Sequence, residues 1–99
     1  MFISSENKKV SAKVGLNIKE QRELRGWSVT QLAFQMSKNG HHTERSQISK
    51  IEHGHAGISV DRLVAFAEVF SIEPQTLLRE PGWSKFPWSA VLDSQAVGR

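Results

Sequence analysis

The chain contains no cysteine, which excludes a disulfide framework, a thiolate zinc site and a cysteine nucleophile together. Long apolar runs are missing as well, and the longest fall far short of the roughly 20 residues that a membrane-spanning helix needs. The opening MFISSENKKVSAKV lacks the continuous apolar stretch of a secretory signal. These absences describe a cytoplasmic protein with no membrane partner. There is also no internal repeat, no low-complexity tract and no segment that alternates as a strand should. A Gly-rich phosphate loop and an HExxH motif are absent too, so no enzyme and no cofactor are expected.

What is present fits one folded domain. A chain of 99 residues with 38% hydrophobic and 23% charged residues can bury a modest core and does not have the composition of a disordered segment. Net charge is +3, unevenly spread. Residues 1–55 hold nine Lys/Arg against five Asp/Glu, and residues 56–99 hold four against five. A basic first half suits a polyanion, although many solvated surfaces are as basic.

Apolar periodicity predicts five helices. The first follows Val10, Val14 and Ile18 and stops at Arg25-Gly26, with Gly15 as a weak point inside it. Ser28 and Gln31 form a capping box that starts the second at Val29, with Trp27 and Leu32 as its staple and Leu32, Ala33 and Met36 facing inward. Thr43 is the expected cap of a third, ending at Glu52 before His53-Gly54. Its inward residues are Ile48 and Ile51; Ser46, Ser49, Lys50 and His53 lie opposite, with Arg45 and Gln47 on the flanks. The fourth follows Ser59, with Leu63, Phe66, Ala67 and Phe70 as its stripe. Pro74 opens a fifth, in which Leu77 and Leu78 dock before Pro81-Gly82. Trp27, Phe34, Phe66 and Phe70 are expected in the core. The layout is a flexible N-terminus at 1–9, a helical domain at 10–80 and an aromatic extension at 81–99.

The run Gly15, Ile18, Arg22, then GWS at 26–28, LA at 32–33, IxxIExG at 48–54 and LxxFAxxF at 63–70 resembles the lambda-repressor-like, Cro-type (XRE) helix-turn-helix domains. The likeness covers about Val14 to Leu78. It implies an all-α, compact five-helix DNA-binding fold whose third helix lies in the major groove. Carried over by position, it places Arg45, Ser46, Gln47, Ser49 and Lys50 at base edges, residue types with matching donors and acceptors. It places Lys19, Arg22, Ser28, Thr30, Lys38, Thr43 and His53 near phosphates. Glu52 is expected to pair with Arg22 as a structural ion pair. The implied function is a sequence-specific, double-stranded-DNA-binding transcriptional regulator, a homodimeric repressor on a palindromic operator.

Three departures stand out: Val29 replaces a common glutamine, Ile58 a common proline, and the connection between the second and third helices is about five residues long in excess of the usual short turn. That insertion, SKNGHHT, either starts the third helix early, at His41 or His42, and reaches DNA, or is a tolerated loop. His41, His42, His53 and His55 flank the third helix, but its two ends are held more than about 10 Å apart, too far for one tetrahedral ion, and no metal is expected. The extension carries Trp83, Phe86, Trp88, Val91 and Leu92. It either folds back on the domain or forms a dimer or protein-partner surface. The competing functional reading is an antitoxin or adaptor-type interaction module that uses this extension.

Overall fold

The computed structural model describes residues 4–81, with side chains from residue 9 onward. Four α-helices follow one another: α1 (Ser4–Leu24), α2 (Val29–Lys38), α3 (Arg45–Glu52) and α4 (Val60–Phe70); a 3-10 helix, Pro74–Leu78, closes the domain. No strand occurs among the described residues, and none of their helices is long and apolar enough to cross a membrane. The expected fifth α-helix is thus a short 3-10 turn. Its three-residue period separates neighbouring side chains by about 120°, so Leu77 is fully buried while Leu78 stays 47% exposed, and only one of the pair docks.

The core is one cluster to which every element contributes. Val14 and Ile18 of α1, Leu32 and Met36 of α2, and Ile48 and Ile51 of α3 meet Phe66 and Phe70 of α4. Trp27 stacks on Phe70 with ring centroids 6.1 Å apart. Phe34, expected beside them, is instead 64% exposed. It follows Leu32 by two residues, or about 200° around the helix axis, which puts it on the opposite face.

Helix α1 starts at Ser4, ahead of the Val10 expected from its apolar spacing, and Val10 itself is half exposed. Arg25 joins the far end of α1 to α4. Its guanidinium donates to the Gln21 carbonyl at 2.7 Å and the Phe70 carbonyl at 2.5 Å, and lies 4.8 Å from the Phe70 ring centroid. Burial pushes its pKa down from the ordinary arginine value. A cation at the last carbonyls of α4 also opposes the partial negative charge of that helix end.

The capping box is in place. Ser28 Oγ accepts from the Gln31 amide at 3.1 Å, and Gln31 Oε1 accepts from the Ser28 amide at 2.7 Å. Ser28→Ala is expected to cost about 1 kcal/mol, read as a lower urea midpoint with an unchanged slope. An unchanged midpoint would show that water replaces the cap without penalty.

Much of the apparent insertion belongs to the end of α2. The helix runs on to Lys38, and the His41 amide donates to the Met36 carbonyl (2.8 Å) and the Gly40 amide to the Ser37 carbonyl (3.0 Å). This is the Schellman closure, and it requires the left-handed backbone that Gly40 adopts at φ 82°. Only residues 41–44 remain as connector. Thr43 is not the cap of α3. It is buried, and its hydroxyl donates to the His41 carbonyl at 2.9 Å. Glu44 occupies the cap position without a side-chain capping bond, and α3 starts at Arg45, so an early start at His41 or His42 does not occur. Burial of the Thr43 hydroxyl against its own loop outweighs its local capping preference.

Candidate nucleic-acid interface

Helix α3 has eight residues, a length of about 12 Å. Ile48 and Ile51 are sealed in the core. Stepping about 100° per residue from them turns Arg45, Ser46, Gln47 and Lys50 to solvent, with Ser49 half-buried at the margin. Of the five residues expected at base edges, Ser46, Ser49 and Lys50 therefore lie opposite the buried pair, while Arg45 and Gln47 are exposed on its two flanks. Among the described residues, the side chains of Ser46, Gln47 and Lys50 have no hydrogen-bond partner. Arg45 is held differently: its Nη1 donates to Thr30 Oγ1 of α2 at 3.2 Å.

Glu52 anchors the C-terminal end of the helix. Arg22 Nε donates to Glu52 Oε2 at 2.8 Å and Nη2 to Oε1 at 3.0 Å, while Nη1 donates to the Trp27 carbonyl at 2.8 Å. Their side chains are 11% and 3% exposed. The hydrogen bond to Glu52 is the main cause of a raised Arg22 pKa, against a smaller opposing effect of burial. Arg22 is turned inward, and all three guanidinium nitrogens are engaged.

The other residues expected at phosphates are dispersed. Lys19, Lys38, Ser28, Thr30 and His53 are exposed; Thr43 is buried and offers almost no side-chain surface. His53 Nδ1 lies 2.7 Å from the Ser49 carbonyl, where it can only donate, leaving Nε2 outward. Its ring stacks on His55 with centroids 5.9 Å apart.

The connector is tied down at both histidines. His41 Nε2 lies 2.8 Å from Glu68 Oε1 of α4, and His42 lies 3.2 Å from Ser37 Oγ and 3.3 Å from Glu44 Oε2. These contacts occupy the imidazoles that border a cavity of about 400 Å³ between residues 40–43 and the start of α4. The described residues hold no cluster of three or more potential metal ligands.

Two features of this face escape a reading of α3 alone. A recess of about 360 Å³ opens between Val29 of α2 and Arg45, Ser46 and Ser49 of α3. A second, of about 330 Å³, lies across Arg45, where Thr30, Ala33 and Phe34 form its α2 side. Arg45 lines both. Both depend on contacts between helices, and the one local signal was the outward position of Phe34.

The aromatic residues Trp83, Phe86 and Trp88, with Val91 and Leu92, lie outside the described residues. Comparison with known proteins returns no match among curated proteins or solved structures. The helix-turn-helix family model matches residues 18–77, most of the chain, from the last two turns of α1 through Leu77. The chain belongs to the XRE-type, lambda-repressor-like helix-turn-helix family of DNA-binding regulators.

Proposed function

We propose that the protein is a sequence-specific transcriptional repressor that reads a palindromic operator in the major groove as a homodimer. The observation that carries this reading is the outer side of α3. Arg45, Ser46, Gln47, Ser49 and Lys50 cluster there on a helix fixed by Ile48, Ile51 and the Arg22–Glu52 pair. Arginine and lysine suit guanine O6 and N7, glutamine suits adenine, and serine pairs with several bases. Lys19, Lys38 and His53 supply charge or a donor for the phosphate backbone, which sets affinity and register rather than sequence. In a two-fold dimer, α3 helices about 34 Å apart meet successive turns of one groove, so the operator is an inverted repeat. The extension that bears Trp83, Phe86 and Trp88 either packs on its own domain or supplies the dimer contact, and truncation separates the two. A chain ending at residue 81 that remains folded and sediments as a monomer supports the dimer contact, whereas collapse of the fold supports packing on the domain.

The test is selection from a randomised duplex library at near-physiological salt, with Arg45→Ala, Lys50→Ala and Lys19→Ala in parallel. Wild type is expected to enrich an inverted repeat. Arg45→Ala and Lys50→Ala should each lose about 1–3 kcal/mol of discrimination at their own positions. Lys19→Ala should weaken all sequences alike and reduce the salt slope by about one. Salt-sensitive binding with no enriched motif would instead favour an antitoxin or adaptor whose partner is a protein.

A further inference from the structure

We propose that Val29 is a specificity-determining residue whose methyl groups receive the 5-methyl of a thymine next to the base that Arg45 reads. This rests on the operator-reading function above and adds a contact that the exposed face of α3 does not itself contain. Val29 is the first residue of α2 and is only half-buried. It packs against the buried cluster and also borders the recess of about 360 Å³ shared with Arg45, Ser46 and Ser49. The other three residues of that recess belong to the side of α3 assigned to bases, so whatever fills it in a complex comes from the major groove.

The chemistry of the recess narrows the occupant. Ser46 and Ser49 are too short to fill it, and their hydroxyls accept several partners. Arg45 also lines the recess, and its Nη1 donates to Thr30 Oγ1, next to Val29 on α2. Val29 is the apolar wall, and it gains nothing from a phosphate or from the polar edges of guanine, cytosine and adenine. Among the four unmodified bases only thymine presents a methyl in the major groove. Sheltering that methyl from water is worth about three- to fourfold in affinity. Arg45 and Val29 thus read two neighbouring positions, one through hydrogen bonds and one through apolar contact.

The test uses the operator recovered by selection, with each thymine replaced in turn by deoxyuridine, a change that removes the methyl and nothing else. Wild type is expected to lose about three- to fourfold affinity at one position in each half-site. Val29→Ala should be indifferent to that replacement while keeping the base preference of Arg45. Val29→Thr, which preserves shape and exchanges one methyl for a hydroxyl, should show a reduced penalty, and it decides the matter should the alanine variant fail to fold. An operator indifferent to every deoxyuridine, or a penalty undiminished in the variants, overturns the assignment of Val29 alone. Failure of wild type to enrich any operator overturns the operator-reading function as well.

Discussion

Gly15→Ala is expected to unfold the domain or bring it close to unfolding. A Cβ at position 15 would lie 2.0 Å from the Ile51 carbonyl oxygen and 3.0 Å from that of Glu52. Both obstacles are backbone atoms at the end of α3, so no rotamer change relieves them. The same crossing brings Ala12 against Gly54, where an added Cβ would meet the Ala12 Cα at 3.1 Å. Small residues at 12, 15 and 54 therefore set how closely α1 and α3 approach. Alanine regains about 1 kcal/mol of helix propensity, yet overpacking that side chains can absorb already costs about 1–3 kcal/mol, and here the helices themselves must separate. A net loss of at least about 3 kcal/mol is a large part of a small domain's stability and lowers Tm by more than about 12 °C. Thermal denaturation followed by circular dichroism checks it. An unchanged or higher Tm would mean that α1 and α3 are not in backbone contact at this point.

That glycine also shows where the sequence was legible and where it was not. From local spacing alone Gly15 reads as a weak place in a helix, because the carbonyl it accommodates lies 36 residues away at Ile51. Features that depend on a few neighbouring residues were legible: the capping box at Ser28, the cap at Ser59, the stripe through Phe66 and Phe70, and the inward pair Ile48 and Ile51. Thr43 does not cap α3 because capping preference is local whereas its burial is tertiary. The 3-10 turn at Pro74 exposes Leu78 through a period that adjacent leucines do not reveal. Phe34 is a different case, since its angle from Leu32 was available from counting and its aromatic character outweighed it. In the candidate interface, the residue types, the position of Ser46, Ser49 and Lys50 opposite Ile48 and Ile51, and the flanking positions of Arg45 and Gln47 were legible from periodicity. The tie from Arg45 to Thr30 and the recess at Val29 were not, because both require the relative placement of α2 and α3.

The second large effect is expected at the Arg22–Glu52 pair, and it separates stability from recognition. Arg22→Ala leaves a carboxylate that is 3% exposed without its partner, and Glu52→Ala strands the guanidinium. Each should cost about 3–5 kcal/mol, measured by urea denaturation. Replacing both groups, as in Arg22→Met with Glu52→Leu, removes the charges along with their desolvation penalty, so the double variant should be much more stable than either single one. The titration of Arg22 itself does not substitute for this cycle. A raised pKa contributes stability below the unfolded-state value and loses it as pH rises through the folded one, and for arginine that window lies beyond the range in which the domain can be studied. Helix α3 is only eight residues long, and Glu52 is its last. A bidentate pair fixes the angle at which that end meets α1 more narrowly than apolar contact does. The double variant is therefore expected to fold yet show a relaxed base preference at the positions read by Arg45 and Lys50. If it selects the wild-type operator with undiminished discrimination, Ile48 and Ile51 alone orient the helix, and the ion pair contributes to stability without shaping what is read.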